Sequence, residues 1–254
     1  MRIPFDVIGS REKAVAIIEV PEGEERTAAD EILGRYKHIK SVLAKQGGRQ
    51  GTFRTCKYKL VAGSKNTEVV HRESGYLIRL DPQVVYFSPR ESEERKRIAE
   101  MVRPGENVLV MFSGVGPFAI AIAKKQPKCS VVCMELNPKA VEYADKNVKL
   151  NKLTNVRNYC MDAGKAAEIG RFDRILMPLP ETAFEFLDAA RAAAKPGAVI
   201  HLYGISGQEE KFTDLQAKAK GFRVVGSQRV LPFAPRKYKV RLDLAVPSDQ
   251  IRSG

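Results

Sequence analysis

From Glu106 onward, mostly apolar runs of strand length recur between stretches of helical pattern: "NVLVMF", "SVVCMEL", "VRNYCMD", "FDRILM" and "AVIHLYG". A strand that is apolar on both faces must be covered on both faces. Where helices such as "PFAIAIAKKQ", "PKAVEYADKNVKLN" and "TAFEFLDAARAAA" connect one strand to the next, the strands run parallel. The last two apolar runs, in "FRVVGSQRVLPFAPRKYKVRLDLAV", have no helix between them and predict an antiparallel pair at the sheet edge. The fold class is therefore α/β: a Rossmann-like, mostly parallel sheet with an antiparallel edge strand.

The preceding residues follow another pattern. "KAVAIIEV", "SVLAKQG" before a glycine turn, "TFRTCKYKLVAG", and a hairpin "TEVVHRESGYLIRL" turning at "ESG" surround one helical stretch, "ERTAADEILGRYKHI", with Ala28, Ile32, Leu33 and Tyr36 on one face. This predicts a small α+β domain over 1–85. "SPRESEERKRIAEMV" then predicts a connecting helix over 86–105, with Ser88 as N-cap, Pro89 at the first helical position and Glu91 completing a capping box. The sheet domain follows over 106–245, and 246–254 form a tail.

The chain carries a formal net charge of +13 over its 254 residues. No Asp or Glu occurs from Ile32 to Thr67, a stretch holding nine Lys and Arg, among them Arg54, Lys57 and Lys59. Leu215 to Leu242 is also free of acids and carries Arg223, Arg229, Arg236, Lys237, Lys239 and Arg241. Two such runs point to a polyanionic partner, with nucleic acid favoured. No apolar run reaches the roughly 20 residues that span a bilayer. The N-terminus lacks a signal-peptide core, so a cytoplasmic protein is expected. Cys56, Cys129, Cys133 and Cys160 form no C-x-x-C pair and only three histidines occur, so no metal site is expected.

"MFSGVGPFAI" stands between the first strand of the sheet and its helix, where open α/β sheets bind ligands. Gly114 and Gly116 allow close backbone approach, but Phe118 replaces the third glycine of the dinucleotide fingerprint, which disfavours NAD. Glu135, ending the second strand, can accept both hydroxyls of a ribose. Asp162, ending the third, can accept from an adenine amino group. Ribose and adenine without a pyrophosphate describe S-adenosylmethionine. Asn147 and Asn151, on the following helix, are assigned capping or helix-surface roles. The turn "MPLPETAF" begins with Pro178, which has neither a polar side chain nor an N–H. Many nitrogen methyltransferases have Asn or Asp there, so the acceptor proton has to be handled elsewhere.

"FDVIG", "GTFRTCKYKLVAG", "YFSPRESEERKRIAEMV", "NVLVMFSGVGPFAIAIA", "MELNPKAVEYADKNVKLNKL", "DRILMPLPETAFEFLDAA" and "APRKY" occur in this order. Together they resemble the archaeal and eukaryotic tRNA (guanine-37-N1) methyltransferases over about 4–245. The resemblance implies a class I methyltransferase with an RNA-contacting N-terminal domain, acting on the guanosine 3′ of the anticodon. It implies Glu94 as general base and Arg54 as the cation facing guanine O6, with Pro178 shaping the pocket. For the cofactor it implies Phe112, Gly114, Gly116, Glu135, Leu136, Asp162, Ala163 and Pro178. For the anticodon stem-loop the candidates are Lys57, Lys59, Arg90, Arg95, Arg236 and Lys237. A monomer is expected, and since the chain begins almost at "FDVIG", so is the absence of a further small N-terminal domain that relatives carry.

The chemistry agrees with these roles. Guanine N1 bears a proton, and its removal spreads negative charge over N1 and O6; a carboxylate and a guanidinium are the economical pair. The competing reading with the same fold is a wyosine-pathway enzyme, either a bifunctional methyltransferase or an aminocarboxypropyl transferase. An RNA-binding protein without catalysis would not need Gly114, Gly116, Glu135 and Asp162. A small-molecule or protein methyltransferase would need neither basic stretch.

Overall fold

The computed structural model describes residues 3–50, 55–207, 212–219 and 221–248. Two strands, β1 (Phe5–Gly9) and β2 (Ala14–Ile18), precede helix α1 (Glu25–Arg35) and the long strands β3 (Ile39–Gln50) and β4 (Thr55–Gly63). They form a four-stranded sheet in the order β1-β2-β3-β4, antiparallel except where β2 meets β3. α1 buries Ala28, Ala29 and Ile32 against one face of this sheet, beside Ala16, Ile18 and Val42. The expected glycine turn after "SVLAKQG" is not a turn. β3 runs through both glycines, and the register slips between Gln46 and Arg49, with Gly47 at φ 74°. This is a bulge, which glycine permits because it has no Cβ to clash at positive φ.

β5 (Val69–Glu73) and β6 (Tyr76–Leu80) form a separate hairpin that turns at Ser74–Gly75. After a 3-10 turn at Pro89–Glu91 comes α2 (Ser92–Met101). The alternation then follows as β7 (Asn107–Met111), α3 (Pro117–Lys125), β8 (Ser130–Glu135), α4 (Pro138–Leu150), β9 (Val156–Cys160) and α5 (Ala166–Ile169). It continues with β10 (Phe172–Met177), α6 (Leu187–Ala192), β11 (Ala194–Gly207), α7 (Thr213–Lys218), β12 (Arg223–Ala234) and β13 (Lys237–Ala245).

These strands form a seven-stranded sheet in the order β12-β13-β11-β10-β7-β8-β9. The five from β11 to β9 are parallel, and β13 is antiparallel to both neighbours. The order reverses at β7, which places a crevice at the carboxyl ends of β7, β8 and β10. One core cluster joins the β5–β6 hairpin, α2 and α3 to one face of the sheet; another fills the opposite face under α6 and α7.

Two expectations about local structure are corrected. Ser88 makes no side-chain cap bond, and Glu91 does not close a capping box; its carboxylate accepts from Lys239 Nζ at 2.9 Å. Asn147 and Asn151 are buried, not on a helix surface, although Asn151 does cap the C-terminus of α4, its Nδ2 donating to the Asn147 carbonyl at 2.8 Å. Asn147 Oδ1 accepts from the Arg79 amide at 2.6 Å, and its Nδ2 donates to the carbonyls of Arg79 (3.0 Å) and Val115 (3.1 Å). Asn151 treats Leu77 the same way, accepting from its amide at 2.9 Å and donating to its carbonyl at 2.6 Å. Four helical residues advance about 6 Å and two strand residues about 6.6 Å, so α4 presents two amides in register with β6. The N-cap of α4 is Asn137, which accepts from the Lys139 amide at 3.0 Å.

Candidate active site

The glycine segment leaves β7 through Phe112, a non-glycine residue at φ 54°, followed by Gly114 at 55° and Gly116 at 81°. L-residues adopt positive φ rarely, and Phe112 there is a local strain of the kind found at ligand sites. Its ring packs edge-on against Phe186, with centroids 5.0 Å apart. Glu135 ties the segment down. Its Oε2 accepts from the Gly114 amide and its Oε1 from the Asn137 amide, both at 2.8 Å. A carboxylate offers about four acceptor positions, so two remain for ribose hydroxyls. Asp162 follows β9 and accepts from the Gly164 amide through Oδ1 at 2.7 Å, capping a 3-10 turn that buries Ala163. Leu136 stays 42% exposed beside Glu135, an apolar surface at the strand ends suited to the face of a purine. The residues therefore fit S-adenosylmethionine, whose sulfonium supplies an electrophilic methyl group.

The neighbouring wall comes from "YFSPRESEER". The Tyr86 carbonyl lies 3.9 Å from where a Cβ on Gly114 would stand, so this segment passes over the glycine loop. Glu94, on the first turn of α2, reads in sequence as one of a run of solvated charges, yet it is 1% exposed. Its Oε1 accepts from the Tyr203 hydroxyl at 2.8 Å and from Arg241 at 2.6 Å; its Oε2 accepts from Arg97 at 2.8 Å. Tyr203 pairs with Arg241 across β11 and β13, and Met177 pairs with Leu202. Tyr203, Arg241 and Glu94 thus stand one residue beyond the end of β10, at the level of Pro178. The Pro178 carbonyl accepts from Lys239 Nζ at 3.4 Å.

Behind Glu94 a chain of buried charges runs into the sheet. Arg241 also donates to Asp243 Oδ1 at 2.8 Å, Asp243 meets His201 Nδ1 at 2.6 Å, and His201 Nε2 lies 2.7 Å from Arg174. Arg174 ends on Glu106 Oε2 at 2.7 Å. Burial opposes the Arg241 charge, but Asp243 and Glu94 raise its pKa above the usual arginine value, so the cation persists. Side chains two apart on one strand share a face, which is why Arg241 and Asp243 both turn toward α2. Period two was visible in "KYKVRLD", but in a basic stretch it reads as an exposed face.

One predicted RNA contact is corrected. Arg95 is 1% exposed: its Nε and NH2 donate to the two oxygens of Glu73 at 2.7 and 2.5 Å, and its NH1 and NH2 donate to the Ser88 carbonyl at 3.1 Å. Both faces of the fork are occupied inside the core, so no phosphate reaches it. Lys57, Lys59, Arg90, Arg236 and Lys237 are exposed. Arg90 pairs with Asp6 at 3.3 Å at the rim of the site, and Arg236 and Lys237 stand at the turn of the β12–β13 hairpin. Arg54 lies outside the described residues. Among the described residues no group of His, Cys, Asp or Glu is placed to hold a metal, and no helix is long and apolar enough to cross a membrane.

The family model described as the TRM5/TYW2 methyltransferase domain matches residues 69–225, from β5 into β12. The chain belongs to this family. A tRNA (guanine(37)-N(1))-methyltransferase of Pyrococcus abyssi is 37% identical over 253 residues, covering 95% of this chain and 74% of that protein. A tRNA 4-demethylwyosine(37)-methyltransferase of Saccharolobus solfataricus is 39% identical over 176 residues, covering 69% of this chain and 67% of its own. Among solved structures, that of the Pyrococcus abyssi Trm5b superposes with a TM-score of 0.84 at 36% identity, over 96% of this chain and 75% of that one. A complex of aTrm5 with tRNALeu gives 0.83 at 32% identity, over 96% and 72%. In this member of the TRM5/TYW2 family the methyltransferase fold and the cofactor crevice are those described above. The turn after β10 carries no polar side chain at Pro178.

Proposed function

We propose that this chain transfers the methyl group of S-adenosylmethionine to N1 of the guanosine 3′ of the anticodon in tRNA. The observation that carries the reading is Glu94: a carboxylate held by Tyr203 and Arg241 at the level of Pro178, beside the segment that passes over Gly114. The 37% identity to the Pyrococcus abyssi enzyme over 95% of the chain supports the same acceptor. Glu94 takes the N1 proton. Because Oε1 already accepts two hydrogen bonds and Oε2 only the one from half-exposed Arg97, Oε2 is the oxygen that receives it. Arg54 faces the charge that develops on O6. Pro178 shapes the pocket and needs no polar group, since deprotonation is handled from α2. Arg90, Arg236 and Lys237, with Lys57 and Lys59, hold phosphates of the anticodon stem-loop.

A second reading is favoured by the 39% identity to the Saccharolobus solfataricus enzyme named for 4-demethylwyosine. A pocket lined by Pro178 could accept a tricyclic base at the same tRNA position. The test is methyl transfer from labelled S-adenosylmethionine to unmodified tRNA carrying G at position 37, to the same tRNA with A there, and to tRNA carrying 4-demethylwyosine. Products are identified by mass. 1-Methylguanosine formed only on the first tRNA supports the proposal. Modification of the third tRNA alone replaces it with the second reading.

A further inference from the structure

Lys239 reads in sequence as one cation of a basic stretch, yet it is 4% exposed on β13, between Ile205 of β11 and Leu231 of β12. Its ammonium makes three contacts. It donates to Glu91 Oε2 at 2.9 Å and to the Pro178 carbonyl at 3.4 Å, and it stands 4.9 Å from the centroid of the Tyr203 ring. A buried ammonium is retained only where its charge and donors are matched, and this seat supplies a carboxylate, a carbonyl and an aromatic face.

The three partners belong to three parts of the proposed site. Glu91 closes the 3-10 turn directly before α2, one helical turn ahead of Glu94. Tyr203 donates to Glu94. Pro178 opens the turn after β10 and has no N–H, so its carbonyl is its one polar handle.

We propose that Lys239 is a positioning residue for methyl transfer, fixing the Pro178 turn against the helix start that carries Glu94. The inference rests on the reading of Glu94 as the base. Pro178 brings no polar side chain to the turn, and Lys239 holds its carbonyl from behind with a compact charge that has three rotatable donors. Its partners include none of Gly114, Glu135 or Asp162, and of the cofactor candidates it meets only the Pro178 carbonyl, so it acts chiefly on the acceptor side of the crevice.

The test uses Lys239→Met and the double variant Glu91→Gln/Lys239→Met. The double variant leaves no unpaired buried charge and keeps the experiment valid if the single variant fails to fold. Three quantities are read: kcat on tRNA, the S-adenosylmethionine Kd by calorimetry, and amide hydrogen exchange over 179–183. A small misplacement of a reacting group costs about 10-fold or more in rate, so kcat falls by at least about 10-fold. The Kd stays within about threefold of wild type, exchange over 179–183 quickens relative to that over β7–β9, and Lys239→Arg recovers part of the loss. Wild-type kcat in the folded double variant, unchanged exchange over 179–183, or a loss of cofactor affinity equal to the loss of rate each overturns the proposal. If the wild-type enzyme methylates a nucleoside other than G37, the reading of the substrate falls while Lys239 is judged on the nucleoside actually modified. If no nucleoside is modified, the exchange measurement decides the role of Lys239 alone.

Discussion

The Tyr203 hydroxyl donates to Glu94 Oε1 at 2.8 Å, joining the middle of β11 to the first turn of α2 across 109 residues of chain. Burial, with the negative charge of Glu94, holds the phenol well above its usual titration range, so Tyr203 remains a donor at any working pH. Tyr203 and Arg241 together fix one carboxylate oxygen, and the other, Oε2, accepts from the half-exposed Arg97 at 2.8 Å.

Glu94→Gln keeps the shape of the side chain and removes its capacity to take a proton. General-base contributions are about 10²–10⁴-fold, so single-turnover methyl transfer falls by at least about 100-fold. Cofactor binding, measured by calorimetry, is retained because Glu94 touches neither Gly114 nor Glu135. A rate within about threefold of wild type would remove Glu94 from the mechanism.

Glu135→Ala acts on the cofactor. The amides of Gly114 and Asn137 lose their acceptor and the ribose loses its partner. Each lost bond to a charged group costs about 1.5–3 kcal/mol, and rearrangement recovers part, so the Kd for S-adenosylmethionine rises about 10- to 100-fold. Equilibrium titration checks this; an unchanged Kd would mean that the ribose lies elsewhere.

Asn151→Ala opens the clamp between α4 and β6. The amide and carbonyl of Leu77 lose their partners, and the cost is about 1–3 kcal/mol in urea unfolding. Asn151→Asp distinguishes the two halves of the clamp, because it keeps the acceptor for the Leu77 amide and loses the donor to the carbonyl. It is expected to be no more stable than the alanine variant, since the new carboxylate faces that carbonyl.

Acid weakens the fold in two stages. His201 is fully buried, and since Arg174 can only donate to Nε2, the ring carries its proton on Nδ1 toward Asp243. Burial, outweighing the pull of Asp243, lowers its pKa below the ordinary 6.5. The unfolded chain therefore binds a proton near 6.5 that the native chain refuses, and stability is lost as pH falls below that value. Burial by itself would raise Glu73, but hydrogen bonds from Arg95, with His71 3.7 Å away, hold it at about 2 against an ordinary 4.5. Asp243 is likewise held at about 2, against 3.8, by His201 and Arg241 despite its burial. Their contributions are complete above 4.5 and 3.8 and disappear as pH falls toward about 2. Urea midpoints measured from neutral pH downward should show both stages, and His201→Asn should remove the first. A variant with the wild-type slope below 6.5 would assign that stage to another group.

Much of this molecule was legible in its sequence because the signals were local. Apolar runs alternating with helical stretches announce a parallel sheet whose edge turns antiparallel. A glycine pair followed by strand-end acids at 135 and 162 marks the crevice at the strand ends, since a strand, its turn and the next helix are contiguous in the chain. Cys56, Cys129 and Cys133 are buried free thiols, and burial pushes that of Cys133 up to about 12.

Other features depend on which distant residues the fold brings together. "ESEERKR" has the composition of a solvated helix face, and "KYKVRLD" that of a basic surface strand. Packing α2 onto β11 and β13 turns both inward and matches Glu91 and Glu94 with Lys239, Arg241 and Tyr203. Arg95 shows the same from the other side, a cation that resembles a phosphate contact until Glu73, 22 residues earlier, is found across its fork. Asn147 and Asn151 look like helix-surface amides until β6 runs past them in register. The sequence alone therefore determined the layers, the crevice and the cofactor. Only the tertiary structure decided which charges are buried and paired, because desolvation and pairing depend on what lies opposite a side chain, and its neighbours in sequence do not carry that information.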